Sequence, residues 1–191
     1  MLVVVAKYNE DVGWLDRLPP AAGRVVVYDK SPGGTYLNVG REAETFARAI
    51  CDLYDDLPAH DHVAFLQGNP FDHLGGGIDR LIDVLVSSAD RRDTTPIGQL
   101  LESDALGRPH HPTPLQVGAC WAELVDEHGT HLPEDAARLS RWPFAAGAQY
   151  IVPTRTILGK PKAFWKRLHE LIWTGRICPW TAERLWWLIF Q

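Results

Sequence analysis

Three polar clusters carry the side chains that can do chemistry, and each follows a short apolar run. Lys7-Tyr8-Asn9-Glu10-Asp11 follows Leu2-Val3-Val4-Val5-Ala6, Asp29-Lys30 follows Val25-Val26-Val27-Tyr28, and Gln67-Gly68-Asn69-Pro70-Phe71-Asp72-His73 follows Val63-Ala64-Phe65-Leu66. Glu10 and Asp11 beside the amide of Asn9 suit a general base, or the binding of ribose hydroxyls, a metal or an amine. Asp72 and His73 offer a second base or ligand pair. Asn38-Val39-Gly40-Arg41-Glu42 has the make-up of an anion site: glycine admits close backbone approach, a helix start offers unpaired N–H groups, and Arg41 adds a planar fork. Each cluster also has a plain structural reading. The acids can satisfy a helix start, Arg41 can pair with Glu10 or Glu42, and the segment after Leu66 can be a solvated turn.

Other chemistry-bearing residues point to structure. His110-His111 lies among prolines without a third ligand at helical spacing, and Gly129 interrupts the His128/His131 pair. Cys51, Cys120 and Cys178 form no CxxC pair and are expected as buried, reduced thiols. There is no GxSxG, no GxGxxG after the first apolar run and no GxxxxGK[ST]. The sequence therefore argues against a serine hydrolase, a dinucleotide fold and a P-loop.

The apolar runs must position these clusters. Non-alternating β-branched runs read as strands buried on both faces, and ligands of open α/β sheets bind beyond the carboxyl ends of such strands. Strands are expected over 2–6, 24–28, 62–66 and 148–152. Helices are expected over 41–54, 78–88, 155–158, 161–173 and 181–190, with a turn and short helix between Asn9 and Leu18. The Pro-rich stretch 90–145 reads as an irregular insertion or lid. The expectation is one α/β domain over 1–191, a three-layer sandwich with a mostly parallel central sheet.

With 191 residues, a net charge of −5 and no basic run, nucleic acid is not an expected partner. No apolar run approaches the ~20 residues of a membrane helix, and no signal peptide is evident, so the expected location is the cytoplasm, without membrane insertion. Five of the eight tryptophans (Trp165, Trp173, Trp180, Trp186, Trp187) fall in the last quarter and read as a bulky core under C-terminal helices, or else as an aromatic substrate wall.

Several segments together resemble a family of bacterial and fungal proteins, a domain of unknown function related to GT-A nucleotide-diphospho-sugar transferases. They are Val4 to Leu15, Leu37 to Thr45, Phe65 to Pro70, Gly147 to Tyr150 and Glu183 to Trp186. The resemblance implies a GT-A-like fold in which the N-terminal strand and its loop hold a nucleotide. It also implies a divalent metal on a DxD motif, but the corresponding strand end here reads Gln67-Gly68-Asn69. A leaving diphosphate would then need Arg41 or Arg155 as its positive partner. Gln149 and Glu183 enter as candidates through the matched motifs.

The leading expectation is a small glycosyltransferase-like enzyme acting on a polar or anionic small molecule. Glu10, Asp11, Asp72 and His73 are the candidate catalytic groups. Tyr8, Asn9, Asn38, Arg41, Gln67, Asn69, Gln149, Arg155 and Glu183 are the candidate binding groups. No cofactor is specified. Two alternatives share the scaffold: an acid/base tailoring enzyme of natural-product biosynthesis, and a non-catalytic binding module.

Overall fold

Burial on both faces makes Leu2–Lys7 (β1) the middle of the molecule: Leu2 to Val5 are at most 1% exposed. The computed structural model describes residues 1–88, 91–128 and 139–191. In chain order, β1 is followed by β2 (Arg24–Asp29), α1 (Arg41–Leu53), β3 (His62–Gln67), α2 (Gly77–Ser87), β4 (Thr95–Pro96) and β5 (Leu100–Ser103). Then come α3 (Val117–His128), β6 (Trp142–Ala145), β7 (Tyr150–Pro153), α4 (Thr154–Leu158), α5 (Lys162–Trp173) and α6 (Pro179–Ile189). The five-stranded sheet runs β2-β1-β3-β7-β4, with β1 parallel to both β2 and β3 and with β7 antiparallel to β3 and β4. The sheet is thus mixed, with a parallel half at β2-β1-β3.

Alternation along the strands splits the core into two layers. Leu2, Val4, Val63, Phe65, Tyr150 and Val152 pack under α1, α3, α5 and α6, whereas Val3, Val5, Ala64, Leu66 and Ile151 pack against α2 and the turns near Trp14 and Ala22. This is a three-layer α/β domain. The first layer is aromatic: Phe190 stacks on Phe65 at 5.5 Å and on Trp186 at 5.1 Å, and Trp165 and Trp186 are wholly buried. Each large apolar side chain so buried contributes roughly 1.5–3 kcal/mol. Trp173 and Trp180 depart from the core expectation, at 36% and 43% exposed.

Helix α1 forms where the sequence puts Ala43, Phe46, Ala47 and Ile50 on one face, all buried. It begins at Gly40, whose φ of 65° is left-handed and whose Cβ, had it one, would lie 2.7 Å from Ile172 Cγ2. The stretch 90–145 is more regular than expected. It contributes β4 to the main sheet, pairs β5 with β6 in a second, two-stranded sheet, and supplies α3 to the core. Between Asn9 and Leu18 the helix is a 3-10 turn over 13–17. Helix α6 begins at Pro179, two residues before the expected start, and is capped by Cys178, whose Sγ accepts from the Thr181 N–H at 3.4 Å. Among the described residues no helix is long and apolar enough to cross a membrane.

Candidate functional site

Parallel register brings the polar clusters to one rim. Ala6 lies opposite both Tyr28 and Gln67, and Lys7 opposite Asp29, so β1, β2 and β3 end at the same level. The chain leaves each strand there and opens a cleft of about 420 Å³, within the roughly 300–1,000 Å³ usual for small-molecule sites. Its lining includes Tyr8, Glu10, Asn38, Arg41, Gln67, Asn69, Asp72 and His73, together with Lys7, Lys30, Glu42 and Thr45.

Internal partners fix the walls. Lys7 Nζ donates to Asp29 Oδ2 at 2.5 Å. That bond, with two more from Ser31, holds the Asp29 carboxyl down at about 2. Lys30 is 4% exposed and spends all three N–H bonds internally, on the carbonyls of Val39 (2.6 Å) and Arg41 (2.9 Å) and on Glu44 Oε2 (2.6 Å). It therefore pins the loop into α1. Burial pushes the Lys30 pKa down. Burial would also raise Glu44, but hydrogen bonds from His169 and Lys30 and the charges of Lys30 and Arg48 outweigh it and hold Glu44 below the carboxylate range.

The carboxylate of Glu10 accepts the Tyr8 N–H at 2.6 Å and rests on Gly68, where an added Cβ would sit 2.7 Å from Oε2. Asn69 donates to Asp72 Oδ1 at 2.9 Å and caps the turn over 70–72 by accepting from the Phe71 N–H. His73 and Gln67 both reach Gly147 (φ 76°), where an added Cβ would lie 2.4 Å from His73 Cδ2 and 3.2 Å from Gln67 Oε1. Arg41 is available: its side chain is 57% exposed, its one ion pair among the described residues is with Glu42, at 3.5 Å, and it lies 5.5 Å over the Trp180 ring.

Some expected site residues stand elsewhere. Asn9 is exposed and outside the lining, and Asp11 accepts the Gly13 N–H at 2.8 Å to shape the following turn. Gln149, fully buried, is a splint: it accepts the Gln67 N–H at 3.2 Å and donates to the Pro70 carbonyl at 3.1 Å. Glu183 accepts the Gly147 N–H at 2.8 Å and pairs with Arg184, so it braces the wall from behind. Arg155 is at the other end of the sheet. Strand β7 runs against β3, with Pro153 opposite His62, so residues after β7 emerge where the parallel strands begin.

Lys30 and Glu42 lay within the clusters read from the sequence but were not among its candidate catalytic or binding groups. Lys30 carried the signal of a polar residue at a strand end, and Glu42 that of adjacency to Arg41. Burial raises the Glu42 pKa, and the nearby Glu183 charge adds to the effect. The helix start is thus already faced by Glu42, which leaves anion binding to Arg41. His110 packs on Phe144 and His111 on Trp180; His131 and the side chain of His128 lie outside the described residues. The thiols of Cys51 and Cys120 are pushed by burial up to about 11, which makes them poor nucleophiles.

The divalent metal that the resemblance would bring does not fit the donors present. Amides stand at Gln67 and Asn69, Asp72 is engaged by Asn69, and among the described residues no group of three or more His, Cys, Asp or Glu is placed to hold a metal ion. In comparisons with protein-family models, with curated proteins and with solved structures, nothing matches this chain.

Proposed function

We propose that the protein is a small glycosyltransferase-like enzyme acting on a polar or anionic small molecule in the strand-end cleft. The observation that carries this reading is the meeting of Glu10, Arg41 and Gln67, from three separate stretches of chain, around one cavity. Arg41 is the anion partner: its fork is exposed, and among the described residues its one ion pair is the 3.5 Å contact with Glu42. Gln67 and Asn38 orient hydroxyl or amide groups. Glu10 or Asp72 takes the proton of an attacking hydroxyl as it bonds to the transferred group, and the bond to the leaving anion breaks toward Arg41. The parallel β2-β1-β3 half with its ligand-sized cavity supports a GT-A-like scaffold. We take the cytoplasm as the setting, in keeping with three free cysteines.

A second reading is favoured by Glu42, a carboxyl that burial holds above its ordinary range while it lines the cleft. Such a group is a proton donor, as an acid/base tailoring enzyme would need. Differential scanning fluorimetry against a nucleotide-sugar panel, with and without Mn²⁺, separates the two. Transfer from such donors predicts stabilisation by at least one nucleotide, lost in Arg41→Ala and independent of Mn²⁺. Indifference to every nucleotide overturns it.

A further inference from the structure

The opposite end of the sheet holds a second hollow, of about 510 Å³, where β3 begins and β7 ends. It is five residues of β3 away from the cleft, or roughly 17 Å at the ~3.3 Å rise of a strand. Its lining is basic: Arg91, Arg92, Arg155 and His60 face it, against the single acid Asp61. In a chain of net charge −5 this concentration runs against the overall balance.

Three observations separate this hollow from a chance patch. Arg155 donates from Nη2 to the Arg92 backbone carbonyl, which ties the β7–α4 junction to the segment entering β4. Among the described residues nothing engages the Arg92 guanidinium, and Arg91 gives only one long bond, 3.4 Å to Thr95 Oγ1. Thr154, which also lines the hollow, is 4% exposed, and among the described residues its hydroxyl has no hydrogen-bond partner. Forked cations with spare donors match tetrahedral oxyanions. A basic lining confined to a few side chains around one hollow favours a compact anion over an extended polyanion.

We propose that this hollow, lined by Arg92, Arg155 and Thr154, is a binding site for a phosphate group, free or carried by a small metabolite. The site is independent of the cleft reading.

The test is a ¹⁵N-labelled titration of the whole chain with sodium phosphate and, separately, glycerol phosphate, against sodium chloride at matched ionic strength. The site predicts saturating amide shifts centred on Arg92, Thr154 and Arg155 with one or both probes; saturation by inorganic phosphate identifies the free ion as sufficient, and by glycerol phosphate alone, the carried group. Because both arginines are exposed, Arg92→Gln/Arg155→Gln keeps the fold, checked by its amide spectrum, and weakens binding about tenfold or more. Arg41→Gln leaves it unchanged. Shifts around the hollow no larger than those with chloride, or shifts there that survive the double substitution, overturn the proposal.

Discussion

Glu42 and Glu44 stand two residues apart at the start of α1 and meet opposite conditions. Glu44 is wrapped by Lys30, Arg48 and His169, at 2.6 to 2.7 Å. Glu42 has a 12% exposed side chain and, among the described residues, a single ion pair, with Arg41 at 3.5 Å. A carboxyl whose folded pKa lies above its unfolded value binds the proton more tightly when folded. Its ionisation therefore removes stability as pH rises from the unfolded value, about 4.3, through the folded one. Glu42→Gln removes that loss. The variant should have a higher urea midpoint than the parent at pH 8, and the gap should shrink toward pH 4. A gap of constant size would show that Glu42 does not titrate with folding. The sequence showed both acids at a helix start. It did not show which would be neutralised, because His169 arrives from α5, 125 residues away. Arg155 was misplaced for a related reason: a residue following a strand is at the cleft rim only if that strand runs with β1, and the direction of β7 is set by its pairing.

At the scale of elements, the site is held by loops that glycine allows to touch. At Gly147 the backbone has φ 76° and His73 closes over it. Gly147→Ala should cost roughly 1–3 kcal/mol in urea unfolding, from strained backbone and the clash together. It should also move the His73 ring resonances, while Gly75→Ala, at an open glycine whose backbone is not left-handed, should do neither. An unshifted His73 would mean that the wall is looser than the distances say. Strands β1, β2 and β3 and helix α1 were legible to within a residue, since β-branched runs and a 3.6-residue period are strong local signals. Helix α3 and the β5–β6 pair were not. Proline is frequent around them, α3 carries Gly118 in its first turn, and β5 and β6 span four residues each, too short for alternation to stand out.

Over the whole molecule, parallel strands set a polarity: their carboxyl ends gather the mixed cleft, and their beginnings gather Arg91, Arg92 and Arg155. That the clusters after β1 and β3 would share one rim followed from the burial pattern, because apolar runs in central strands imply parallel pairing; β2, read as buried on both faces, is instead the partly exposed edge strand, and its register with β1 brings its end to the same rim. The depth of the cleft did not follow, since it depends on Lys30 reaching back to Val39 and Arg41 and on Gln149 bracing Gln67 and Pro70. The central claim is that the polar ends of three strands form one ligand-binding cleft. A crystal structure of the chain soaked with uridine diphosphate or guanosine diphosphate tests it most directly. The account predicts a diphosphate seated between Arg41 and Gln67 with Glu10 beside it; a nucleotide bound only elsewhere, or Glu10, Arg41 and Gln67 found on different faces, would contradict it.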